Sequence, residues 1–102
     1  MLENIVACAL KWRCRDLGYL LTDDGFEIDF LARTHNGKTL LVQVASDING
    51  LDTWQREIRA LEQAHADHAE ARCLLLTESK PPHRVVVPEW LEVLTVWRWL
   101  LE

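Results

Sequence analysis

The chain has 102 residues, 49% of them apolar and 26% charged, values that fit one α/β domain over 1–102 and leave no room for a second. A net charge of −5 excludes a protein that coats nucleic acid non-specifically, because that needs an excess of Lys and Arg. No apolar run reaches the roughly 18 residues of a membrane span, and charges at Glu3, Lys11, Arg13, Arg15 and Asp16 do not fit a signal peptide, so a cytoplasmic protein without membrane contact is expected.

Residues 2–17 read as a helix: Ile5, Val6, Ala9, Leu10 and Leu17 recur at helical spacing, and Gly18 follows as a stop. Lys11, Arg13 and Arg15 form either a local basic patch or a solvated helix face. A short strand is expected over 18–22, then a turn at Asp23-Asp24-Gly25. Over 26–33, Phe26, Ile28 and Phe30 alternate with Glu27 and Asp29, which predicts a half-buried strand. His35-Asn36-Gly37-Lys38 is a second turn. Residues 39–45 are apolar on both faces, which suits a strand inside a sheet. Together these segments predict a three-stranded meander.

Residues 46–50 are turn-like, and a second helix is expected over 51–68. Leu51, Trp54, Ile58, Leu61 and His65 form its apolar stripe, and Asp52 sits near its start, where the helix dipole favours a carboxylate. Residues 72–77 hold Cys73-Leu74-Leu75-Leu76, a buried strand that the preceding helix sets parallel to a meander strand. Pro81-Pro82 marks a loop. Residues 84–87 are a further strand candidate, 92–96 fit strand or helix, and 97–101 read as a terminal helix. The predicted order is α-β-β-β-α-β, then a further strand and a short terminal helix, a mixed sheet flanked by helices.

Cys8, Cys14 and Cys73 have neither disulfide nor zinc spacing, and Cys8 and Cys73 are expected as buried thiols. His65 and His68 share a helical face but have no metal partners by spacing. Of the five tryptophans, Trp97 and Trp99 fit a core or a partner surface equally. No P-loop motif is present, so this chain brings no ATPase module of its own.

The stretch with chemical content is Glu27-Ile28-Asp29-Phe30 followed by Leu41-Val42-Gln43-Val44-Ala45. On a strand, Glu27 and Asp29 share a face with backbones about 7 Å apart, and Gln43 and Ala45 share a face of the next strand. If those strands pair on that face, Asp29 and Gln43 are neighbours. Carboxylates on adjacent strands are how hard divalent ions are held for phosphodiester cleavage, and a nearby lysine would stabilise the charge that develops. The same residues also fit plainer roles. Glu27 and Asp29 suit a solvated strand face, Gln43 a hydrogen-bonded buried amide, and Glu3 a carboxylate favoured by the helix dipole.

These motifs resemble the PD-(D/E)xK nuclease superfamily, in which an Asp is followed, on a later strand, by Glu-x-Lys. More narrowly, the chain is similar to the nuclease-like C-terminal domain of a group of prokaryotic AAA-type ATPases. Leu2-Glu3-Asn4 matches the opening of its first helix. Gly25-Phe26-Glu27-Ile28-Asp29-Phe30 matches its Gly-x-Glu-x-Asp-Phe strand, and the long helix after Asp47 also fits. The resemblance implies a restriction-endonuclease-like fold. It implies Mg²⁺ as cofactor if the chain is active, Asp29 and Gln43 as metal ligands, and Glu27 and Glu3 as vestigial assisting carboxylates. Where Glu-Val-Lys is expected, this chain has Gln43-Val44-Ala45. Loss of one electrostatic stabiliser commonly costs about 10²–10³ in rate. The expectation is therefore a degenerate nuclease-fold module, inactive or weakly active, that binds nucleic acid or a protein such as an ATPase module. The alternatives are an active Mg²⁺-dependent DNA endonuclease, with Lys11, Arg33 or Lys38 in the role of the missing lysine, and a homodimerising structural domain.

Overall fold

The computed structural model describes residues 2–21, 25, 27–45, 51–79 and 86–102, without the side chain of Leu51. In chain order the elements are α1 (Leu2–Arg13), β1 (Cys14–Leu21), β2 (Glu27–Thr34), β3 (Thr39–Ala45), α2 (Leu51–Asp67), β4 (Arg72–Thr77), β5 (Leu91–Thr95) and α3 (Val96–Leu100). The strands form one sheet in sequence order, β1-β2-β3-β4-β5. The pairings β1–β2 and β2–β3 are antiparallel, while β3–β4 and β4–β5 are parallel.

Burial explains that order. Leu41 to Ala45 and Cys73 to Thr77 are buried residue after residue, as central parallel strands covered on both faces must be. On one face Leu41, Ala45, Cys73 and Leu75 pack with Trp54, Leu61 and Ala64 of α2. On the other, Val42, Val44, Leu74 and Leu76 pack with Val6 and Leu10 of α1 and Val96 and Trp99 of α3. The tight β2–β3 turn places Gly37 at φ +83°, a left-handed conformation that favours glycine. Thr34 N–H donates to Lys38 O at 2.8 Å there, and Gly37 N–H to Thr34 O at 2.9 Å.

Several expectations are corrected. The first helix ends at Arg13 rather than residue 17, and Gly18 lies inside β1. The chain passes straight from Arg13 into β1, whose first residue, Cys14, pairs with Thr34 of β2, and the Arg13 guanidinium reaches the C-terminal carbonyls of α3, donating to Trp99 O at 3.3 Å and Leu100 O at 3.0 Å. Lys11 is exposed on α1, Arg13 is engaged with α3, and Arg15 pairs with Asp16 on β1. Cys8 is exposed, whereas Cys14 and Cys73 are buried. Val86 and Val87 carry no strand, and the added strand is β5, with Thr95 ending it and capping α3 by accepting from Arg98 N–H at 3.3 Å. Trp99 belongs to the core, while Trp97 is exposed. His65 lies flat on Trp90, with ring centroids 4.7 Å apart. Asp23-Asp24, Phe26, residues 46–50, Pro81-Pro82 and Arg84-Val85 lie outside the described residues.

The alternation expected in β2 breaks at Asp29. Ile28 packs on the α2 side, but Phe30 and Ala32 pack on the α1 and α3 side. The β1 register shows the cause: Gly18 faces Leu31 and Leu20 faces Ile28, so β2 holds one more residue than β1 between those pairs. That extra residue is a β-bulge, which re-aims the side chains around it.

Candidate functional site

The site lies where β2 leaves β3. Ladder pairing between these strands runs from Arg33–Thr39 to Phe30–Val42. Beyond that point side chains join them. Asp29 N–H donates to Gln43 Oε1 at 2.8 Å, and Val44 N–H donates to Asp29 Oδ2 at 2.9 Å. Gln43 Nε2 donates to Glu27 O at 3.4 Å and, more closely, to Glu57 Oε2 of α2 at 2.7 Å. Asp29 and Gln43 are therefore adjacent, and next to the bulge a side-chain network takes the place of backbone pairing.

Glu57 is the partner that sequence reasoning did not single out. It sits on the inward stripe of α2, three residues after Trp54 and three before Ala60, both buried. A carboxylate at apolar spacing is the signal that marks it, because an inward charge needs a partner. An open cleft of about 360 Å³ is lined by Gly25, Glu27, Gln43, Arg56, Glu57 and Ala60. Glu3 is exposed in the first turn of α1, close enough for its charge to act on Asp29.

The electrostatics are those of crowded carboxylates. Burial pushes the Asp29 carboxyl above its ordinary value; the Val44 N–H opposes this, and the charges of Glu3, Glu57 and Glu27 reinforce it. The basic side chain lining the cleft is Arg56 of α2. The positions expected to supply a relocated lysine lie elsewhere. Lys38 is in the turn at the far end of β2 and β3, Arg33 lines a separate cleft between β1 and β2, and Lys11 is exposed on α1. Ala45 is 7% exposed and packs in the apolar cluster with Trp54 and Leu75.

These residues, as arranged, do not fit a Mg²⁺ ion. A hard cation needs several converging oxygens, and among the described residues no three Asp, Glu, His or Cys side chains converge in that way. Gln43 turns its amide oxygen to Asp29 N–H and its NH₂ group to Glu57. An N–H donor there has the wrong polarity for a metal ligand.

No family model matches the sequence, and no curated protein matches it. Among solved structures, the chain is similar to the small subunit, R.BspD6I2, of the heterodimeric restriction endonuclease R.BspD6I. The TM-score is 0.60 at 20% identity, over 93% of this chain and 62% of that subunit. A weaker likeness, TM-score 0.47 at 11% identity, covers 86% of this chain and 22% of a chain from a Thermococcus gammatolerans assembly of McrB AAA+ hexamers with bound McrC. The chain has a restriction-endonuclease-like fold: a five-stranded mixed sheet with helices on both faces. It spans about three fifths of the length of the R.BspD6I subunit, 62%.

Proposed function

We propose that the chain is a nuclease-fold module that has lost efficient phosphodiester cleavage and works by binding a protein partner. The observation that carries this reading is the state of the two degenerate positions. The Gln43 amide is engaged with Asp29, Glu27 and Glu57, and Ala45 is enclosed by apolar packing. Neither position offers a charged ligand or a cation to a reacting phosphate.

Charge favours a protein over nucleic acid. Glu3, Glu27, Asp29 and Glu57 act around one site, with Arg56 as the cation lining its cleft, in a chain of net charge −5. A phosphate backbone approaching that cleft meets repulsion. R.BspD6I2 is one subunit of a heterodimer, and this chain is proposed to act likewise beside a second protein. The resemblance carried by Leu2-Glu3-Asn4 and residues 25–30 makes an AAA-type ATPase a candidate; a second copy of this chain is the alternative.

The test incubates the purified chain and an Asp29→Ala variant with plasmid and oligonucleotide DNA in Mg²⁺ or Mn²⁺. Both are expected to leave the DNA intact, with no binding tighter than the non-specific range of about 10⁻⁴–10⁻⁶ M. Metal-dependent cleavage that Asp29→Ala abolishes overturns the reading in favour of an active nuclease. Tight DNA binding without cleavage moves it to a nucleic-acid-binding module.

A further inference from the structure

Gln43 is 7% exposed, and its side-chain hydrogen bonds join β3 to the end of β2 beyond their backbone pairing and to α2. Its oxygen holds the Asp29 N–H of β2 at 2.8 Å. Its nitrogen reaches Glu27 O of β2 at 3.4 Å and Glu57 Oε2 of α2 at 2.7 Å. The Asp29 carboxylate closes the circuit on Val44 N–H at 2.9 Å. Glu57 is half-buried on the inward side of α2, and the buried Gln43 amide supplies it with a charge-assisted N–H donor.

We propose that the Gln43 amide is a built-in replacement for a divalent cation, bridging Glu57 of α2 to the diverged strand β2 so that the site stands without metal. The distances support this. A metal–oxygen length of about 2.0–2.1 Å in an octahedral site sets neighbouring ligand oxygens about 2.9 Å apart. Gln43 Nε2 lies 2.7 Å from Glu57 Oε2, where a second carboxylate oxygen would sit if the two shared an ion. Replacing that nitrogen by oxygen, the chemical content of Gln43→Glu, sets two carboxylate oxygens at that spacing beside Asp29. They repel unless a proton or a cation lies between them. At this contact that one atom determines whether a proton or a cation is needed. This inference does not depend on what the module binds, and its test reads melting rather than cleavage or binding.

Thermal melting of the whole chain is followed for wild type, Gln43→Glu and the double variant Gln43→Glu/Glu57→Gln, in EDTA and in rising millimolar MgCl₂ or MnCl₂. The wild-type Tm is expected to be the same in EDTA and in either cation. Gln43→Glu is expected to lose about 5–15 °C in EDTA and to recover as the cation concentration rises. The double variant, with the amide moved onto α2, is expected to recover in EDTA alone. A wild-type Tm that climbs with cation, a Gln43→Glu chain as stable as wild type in EDTA or not rescued by cation, or a double variant no more stable than Gln43→Glu overturns the proposal. Should Gln43→Glu not fold well enough to purify, the double variant decides: near-wild-type melting in EDTA supports the proposal, and failure to fold overturns it.

Discussion

Asp29 is held where its charged form is less favoured than it is in water. Its carboxyl is raised by burial first, and by the charges of Glu3, Glu57 and Glu27, against the one Val44 N–H that favours ionisation. A carboxyl whose folded pKa exceeds its unfolded value takes up a proton on folding as pH falls, so ionisation at neutral pH subtracts from stability. Asp29→Asn keeps an oxygen to accept from Val44 N–H and removes the charge. It is expected to raise the Tm at neutral pH, with the difference shrinking as pH falls through the raised value into the ordinary carboxylate range; melting curves across that interval check it. The sequence makes Asp29 conspicuous, since an acidic residue on an apolar strand is visible by eye. Glu57 is hidden for the opposite reason: α2 is rich in charge, and only the phase of the helix separates an inward carboxylate from an outward one.

At the scale of elements, α3 shows how a short helix is kept. Five residues are too few for a helix to persist by itself. Trp99 is 3% exposed in the core, and Arg13 both stacks on its ring, 4.6 Å from the centroid, and bonds the carbonyls at the helix end. Trp97, two residues earlier, is 55% exposed. Urea denaturation is expected to show Trp99→Ala losing about 3–5 kcal/mol and Arg13→Ala about 1–3 kcal/mol, with Trp97→Ser within about 0.5 kcal/mol. The sequence left Trp97 and Trp99 equivalent because both sit in one apolar run, and only the Thr95 cap sets their phase. The boundary of α1 was likewise hard to read: Trp12-Arg13-Cys14 contains no helix breaker, and the pairing that starts β1 at Cys14 is with Thr34, well along the chain. By contrast β3 and β4 were legible to the residue, because only a strand covered on both faces tolerates such continuous apolar runs.

Across the whole molecule, the helix-flanked mixed sheet, the antiparallel meander and the parallel crossover into β4 followed from pattern, since each is a consequence of where apolar surface must go, whereas the place and direction of β5 did not. The one-residue bulge in β2 was illegible, because Glu27-Ile28-Asp29-Phe30 alternates in sequence as an unbroken strand does. That bulge separates two kinds of backbone amide. The ladder amides of β3 and β4 are shielded by the core and are expected to exchange with deuterium only when the molecule unfolds. Asp29 and Val44 N–H are held instead by side chains, Gln43 Oε1 and Asp29 Oδ2. Their exchange is expected to be faster than that of neighbouring Val42 and to accelerate selectively in Gln43→Ala, as heteronuclear NMR can follow residue by residue. These two protons thus give a clock for the opening of the β2–β3 cleft that runs independently of global unfolding.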